Sequence, residues 1–367
     1  MATHLPPQAR RQGGFTIVEL MIAIVLGLLT VLIVAQVLLQ AETRRRTISS
    51  GSDAQLNGAL TLFTLQRDIQ MAGYGANAIP AVMGCKLNRK FGSGGTASQV
   101  PLAPVVITPG ANGAPDQVTV LQARTRQASV PMQTTEIHTD ASVSFVVESS
   151  LGVTAGDMMV IAPEAITDYN SSDCRLFQVA GTTLSTTNIP HANTSSWNHD
   201  STFSADMPDN SVLINMGTPA LRTYSVGASQ NLSVSDVSWT DGTTTSQDLF
   251  SQIVTMQALY GKDTDANGIV DTYDKTTPTT PAGWQQVLTV RLVVVARSDK
   301  QETSSVTTSQ PLWDVGANDT INDVATADCN GTSKCITLKV DHLTNWQRYR
   351  YKVYDTIVPL RNVLWHS

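Results

Sequence analysis

From Leu20 to Leu39 twenty residues pass without a charged side chain. As a helix rising about 1.5 Å per residue, that run is long enough to cross the hydrocarbon core of a bilayer. A second helical pattern follows, with Leu56, Leu60 and Phe63 along one stripe and Leu62, Leu65 and Ile69 beside it. Gly73 is its natural C-terminal stop. Ser49 to Asp53 is poor helix interior and good capping chemistry, so the spacing predicts that the rod bends or loosens there. Unbroken from Phe15 to Ala72, it would span on the order of 90 Å.

Beyond Ala76 the pattern shortens to β-rich runs between Gly, Pro, Asn and Asp clusters. They are Val118 to Leu121, Val143 to Val147, Met158 to Ile161, Leu176 to Val179, Val212 to Ile214 and Leu221 to Val226. The same reading predicts a helix from Asp248 to Tyr260 and a strand from Trp284 to Ala296, apolar enough to be buried on both faces. From Trp346 to Trp365 basic and apolar residues alternate, as in a strand with one basic face and one packed face. The expected fold class is α+β, a long N-terminal helix packed on a mainly antiparallel β-rich domain.

Composition changes the picture little. The chain has 367 residues, a net charge of −6 and 15% charged residues, which gives no electrostatic case for wrapping nucleic acid. Arg10 and Arg11 precede the apolar run and Arg44 to Arg46 follow it, so the basic residues do not decide its orientation. Arg348, Arg350, Lys352 and Arg361 read most simply as an exposed strand face, and Trp346 and Trp365 as partly buried core.

The candidate chemistry sits first at the head of the apolar run. Gly14-Phe15-Thr16-Ile17-Val18-Glu19 sets a glycine and a single carboxylate at the lip of the span. A carboxylate there is costly and needs a partner. The leader before it has no apolar core of its own, whereas a secretory signal is cut after its core. This arrangement resembles the prepilin signal of type IV pilins and type II secretion pseudopilins, on Gly14, Phe15, Thr16, Glu19 and the apolar run. The resemblance implies cleavage after Gly14 by a membrane peptidase and N-methylation of Phe15. It also implies a retained anchor with the leader in the cytoplasm and the body outside. The new amine on Phe15 of one subunit would then meet Glu19 of its neighbour and set axial register.

Further segments narrow the family. Leu65 to Tyr74, the Tyr260 to Asp265 junction, Val290-Arg291-Leu292 and Val358 to Asn362 resemble PilW-type minor pilins of type IV pilus assembly. Leu87 to Met256 matches only in texture. The Gly-Cys pair that usually follows Ala-Gly-Tyr stands later here, as Gly84-Cys85. The layout implied is a cleaved leader at 1–14, a membrane and assembly helix at 15–40, a periplasmic amphipathic helix at 41–75 and a β-rich domain at 76–367. Implied partners are the prepilin peptidase, other minor pilins, the major pilin, the inner-membrane platform and, in some assemblies, a large tip adhesin. The rival within the signal is a type II secretion pseudopilin of the J type.

Four cysteines in an exported chain allow three pairings. Cys329 and Cys335 bracket a short polar loop and are favoured as one pair, which leaves Cys85 with Cys174. Asp263, Asp265, Asn267, Asp271 and Asp274 fall at the first, third, fifth, ninth and twelfth positions of an EF-hand-like loop, with Gly268 sixth and the Ile269 carbonyl seventh. Such oxygen donors select calcium, in a structural role. An Asp/Asn turn held by side-chain to backbone hydrogen bonds is the plain alternative. No His-Glu-x-x-His, Gly-x-Ser-x-Gly or Cys-x-x-Cys motif occurs, and the Gly-rich segment Phe91 to Gly95 lacks the following Gly-Lys-Ser/Thr of a phosphate cradle, so no catalytic activity is expected. His191, His199 and His342 stand in polar contexts and read as surface residues. An anchored calcium-dependent binding module that never enters a fibre is the rival from another class.

Overall fold

The computed structural model describes residues 14–126, 130–139, 142–164, 166, 174–181, 184–192, 195–198, 206–317, 319–329 and 331–364. Arg10, Arg11, His199, Asn330 and Trp365 lie outside them, as do the side chains of Arg44 and Arg46. The chain divides into two units, 1–50 and 51–367. A single helix is assigned from Ile17 to Met71, so the Ser49 to Asp53 segment stays helical rather than breaking. Gly73, at φ +81°, ends it, and its amide donates to the Leu121 carbonyl at 2.9 Å.

Within the second unit the buried stripe of the helix is Ala54, Gly58, Thr61, Leu65, Ile69 and Ala72. The steps of three and four keep these residues on one face. Leu56, Leu60 and Phe63, at 59%, 41% and 62% exposure, face away from the core. The stripe is therefore built from small residues at one end and large ones at the other. A Cβ on Gly58 would land in the Tyr354 ring, so only glycine lets the helix lie this close to the sheet.

That sheet has five strands in the order Thr320–Ile321, Thr272–Asp274, Ile253–Lys262, Val287–Arg297, Tyr351–Pro359. Alternate residues of its two long inner strands serve two cores. Met256, Ala258, Tyr260, Val290, Leu292 and Val294 pack toward Leu65 and Ile69 of the helix. Val293 and Val295 pack with Trp313, Ile336 and Leu338 on the opposite face. Coverage on both faces explains why Val287–Arg297 reads as an unbroken apolar run.

A second five-stranded sheet, Thr244–Ser251, Asn231–Val237, Ala220–Val226, Gln117–Gln122, Val105–Thr108, completes the first core. Six further strands form a separate sheet ordered Ser98–Pro101, Lys86–Arg89, Arg175–Gln178, Met158–Ala162, Val212–Gly217, Met132–Gln133. Among the described residues pairing is antiparallel except at Asn88↔Arg175, at Thr272–Tyr273 against Thr320–Ile321 and at the isolated bridge Arg124↔Gly217. The architecture is α+β, an apolar N-terminal helix and a mostly antiparallel β-rich domain.

Three segments differ from the sequence pattern. Asp248 to Tyr260 is not helical; it falls in the strands Thr244–Ser251 and Ile253–Lys262, joined at Gln252 with φ +61°. From Ile253 the run is buried on both faces and carries no period that separates strand from helix, and the paired strands decide it. Trp284 belongs to the short helix Pro281–Gln285, whose Thr280 cap accepts from the Gly283 amide, and the strand starts at Val287. The C-terminal segment holds a 3-10 turn at Trp346–Arg348, the strand Tyr351–Pro359 and a short helix Arg361–Leu364.

Candidate functional site

At the N-terminal end Thr16 and Glu19 cap the helix reciprocally. The Glu19 amide donates to Thr16 Oγ1 at 3.2 Å and the Thr16 amide to Glu19 Oε2 at 3.5 Å. This is a capping box, readable from the Thr-x-x-Glu spacing but missed in favour of the charge at Glu19 alone. A cut after Gly14 leaves the box intact, because both partners lie downstream of it. The amide partner is neutral, so the box orients the carboxylate without cancelling its charge.

Among the described residues nothing lies near the Cβ that a larger residue at Gly14 would carry. The chain's own packing makes no demand for glycine there. Ile17–Glu42 is long and apolar enough to cross a membrane, and its side chains are not buried in the molecule. Phe15, Ile17 and Leu39 are 84%, 79% and 69% exposed. So large an apolar surface is stable only against lipid or other apolar helices. The protein is therefore held by a single-pass anchor.

The acidic loop joins Ile253–Lys262 to Thr272–Asp274. Carboxylate oxygens of Asp263, Asp265 and Asp271 all lie within 4.8 Å of one another. Asp263 accepts from the Gly268 amide at 2.7 Å and the Asn267 amide at 3.2 Å, and Asp271 accepts from the Thr264 amide at 2.6 Å. Gly268 takes φ +84°, which turns the chain and lets its amide face Asp263. Burial alone would push the Asp263 carboxyl up, but the amides of Gly268, Asn267 and Ala266 outweigh it and hold it below the usual carboxylate range. The Thr264 hydroxyl and amide do the same for Asp271.

Asn267 stays within the loop, its side-chain Nδ2 donating to Asp265 Oδ2 at 3.0 Å, and Ile269 is exposed. Asp274 does not join the group. Its Oδ1 takes a hydrogen bond from Lys262 Nζ at 2.7 Å and from the Thr276 amide at 2.8 Å, inside the paired strands. The twelfth position of the EF-hand-like spacing is thus a strand ion pair. Strand register overrides the loop count, because Tyr260↔Asp274 pairing pins Asp274 in the ladder beyond the turn.

Cys85 is joined to Cys174 and Cys329 to Cys335. The first bridge ties the segment before Lys86–Arg89 to the start of Arg175–Gln178. His342 is exposed, but His191 is not a surface residue. It is 5% exposed and meets His138 Nε2 to Nε2 at 2.8 Å among Phe145 and Phe177. Only long-range pairing makes this contact, so the polar local context misleads. Arg348, Arg350, Lys352 and Arg361 are exposed, with Arg350 bonded to Glu302 at 2.9 Å, and Trp346 is half-buried.

Comparison with known proteins assigns both ends. Residues 9–35 match the prokaryotic N-terminal methylation motif. Residues 217–362 match the type IV pilus-assembly protein W family. Curated proteins and solved structures give no match. The second match covers the central sheet, its helix-facing core and the acidic loop. A methylation signal at one end and an assembly-family region toward the other together support a PilW-type pilin with a prepilin-like N-terminus.

Proposed function

We propose that this minor pilin is a non-catalytic subunit of the complex that starts or caps a type IV pilus, supporting motility, adhesion or DNA uptake. The carrying observation is a single-pass apolar helix whose charged first turn, Glu19, stands four residues after the Phe15 amine that cleavage would free. In lipid each charge is costly alone, and an amine from one subunit set against Glu19 of another lowers both costs. The leader then lies in the cytoplasm and residues 76–367 in the periplasm, an oxidising setting that suits the two disulfides. Partners on this reading are the prepilin peptidase, other minor pilins, the major pilin, the inner-membrane platform and a tip adhesin.

Glu19→Ala tests it by co-purification from detergent-solubilised membranes. The variant should insert as the wild type does and recover several-fold less of the other minor pilins. Unchanged recovery would refute the register role. A deletion strain scored for surface pili and for protein export separates this reading from a type II secretion pseudopilin, which would lose export and keep its pili.

The acidic loop is, on the same footing, a structural calcium site formed by Asp263, Asp265, Asn267, the Ile269 carbonyl and Asp271. Without Asp274 it has fewer anionic donors than an EF-hand, so its affinity belongs with extracellular modules, on the order of 10⁻⁴ to 10⁻³ M. Asp263→Ala with Asp265→Ala should abolish a calcium-dependent rise in melting temperature, leaving only the calcium-independent loss from the amide hydrogen bonds that Asp263 accepts. A double variant that keeps the rise would reduce the loop to a turn.

A further inference from the structure

Arg89 ends the strand Lys86–Arg89 and lines two cavities. One, of about 280 Å³, is also lined by the hydroxyl-bearing residues Thr108, Thr119, Thr223, Ser235 and Thr244. The other, of about 410 Å³, is also lined by Lys90, Phe91, Trp197 and Asp241.

Among the described residues the guanidinium has no ion-pair partner. Its Nε is fully buried and has no hydrogen-bond partner. Burial lowers its pKa. Asp241, the one acid among the residues lining either cavity, is engaged by the Thr243 amide at 3.1 Å and the Thr243 hydroxyl at 2.8 Å. Two other partly or fully buried arginines do form ion pairs. Arg222 holds Asp68 at 2.9 Å and Asp236 at 3.1 Å, and Arg291 holds Asp319 at 2.6 Å. An unpaired guanidinium taken out of water is unfavourable unless something anionic completes it.

The surrounding groups suit that completion. Hydroxyls rotate to donate, and Thr119 and Thr223 lie 2.9 Å apart as a pair, so one of them always has a proton to spare for a third acceptor. A planar guanidinium gives two parallel donors to an oxyanion edge. One positive charge matches one negative charge. We propose that Arg89 and the threonine and serine hydroxyls around it bind the oxyanion group of a small ligand, a carboxylate or a phosphate.

The full-length protein in detergent is melted in acetate and, separately, in phosphate, each exchanged for chloride at fixed ionic strength. The wild type should gain about 4 °C once one of these anions exceeds its Kd a hundredfold. Arg89→Gln should lose that gain while melting no lower than the wild type in chloride, since it removes an uncompensated charge. Arg89→Lys, which keeps the charge and loses the fork, should retain only part of the gain. A response to acetate alone assigns a carboxylate and a response to phosphate alone assigns a phosphate, and either supports the site. Absence of a gain in the wild type with both anions, or an equal gain in Arg89→Gln, overturns it.

Discussion

The 2.8 Å contact between His138 and His191 leaves room for one proton between the two Nε2 atoms, and the rings are enclosed by Phe145 and Phe177. Burial, then the nearby His138 charge, push His191 down from 6.5 to about 4, against a backbone hydrogen bond that favours the cation. Between those two values the unfolded chain binds a proton that the folded chain refuses, so stability rises with pH across the window. The contribution is complete above about pH 6.5 and lost as pH falls toward 4. It amounts to on the order of 3 kcal/mol. Urea midpoints from pH 7 to 4 should fall more steeply in the wild type than in His191→Gln. Parallel curves would mean that the pair is not held in its neutral form. Asp274 makes a related point at the same scale, because a residue type and a spacing suggested a ligand where the local ladder made a strand ion pair.

For the long helix, the packing face is set by what is missing from it. Sequence pattern singles out Leu56, Leu60 and Phe63 by size, whereas the small Ala54 and Gly58 are the ones buried, Gly58 because no side chain fits beneath Tyr354. Beside the stripe, Asp68 accepts from Tyr224 Oη at 2.5 Å and pairs with Arg222, which fixes the helix to the strand Ala220–Val226. Gly58→Val should lower stability by about 2 kcal/mol, because either the ring swings away or the helix lifts. In a Tyr354→Ala background the same substitution should cost much less. Equal costs in the two backgrounds would show that the helix does not approach the strand as described. The strand Ile253–Lys262 shows the converse limit, since its residues look helical until partners on both sides are known.

On the scale of the whole molecule the two disulfides constrain very different lengths of chain. Cys85 and Cys174 are separated by 89 positions, Cys329 and Cys335 by 6. Chain-entropy reasoning assigns about 4 to 5 kcal/mol to the long loop and about 2 kcal/mol to the short one. Cys85→Ala with Cys174→Ala should therefore lower the denaturant midpoint about twice as far as Cys329→Ala with Cys335→Ala. The reverse order would place the main restraint of the unfolded chain at the C-terminal loop. The long bridge also holds the six-stranded sheet, whose neighbours Lys86–Arg89 and Arg175–Gln178 meet at a single Cα pair, Asn88↔Arg175.

What the sequence by itself determined is local and one-dimensional. The apolar span, the Gly14-Phe15 junction, the carboxylate at Glu19, the glycine stop at Gly73 and the Asp263 to Asp271 turn each depend on residues within a few positions of one another. Helix geometry, lipid thickness and turn chemistry act over that range. Only the tertiary structure decided which face of the helix is buried, that Asp248 to Tyr260 is strand, that His191 is enclosed and that Arg89 meets no acid among the described residues. Each of these follows from contacts between residues far apart in the chain. A side chain's burial and its charge partners are properties of the space it comes to occupy, which no run of neighbouring residues specifies.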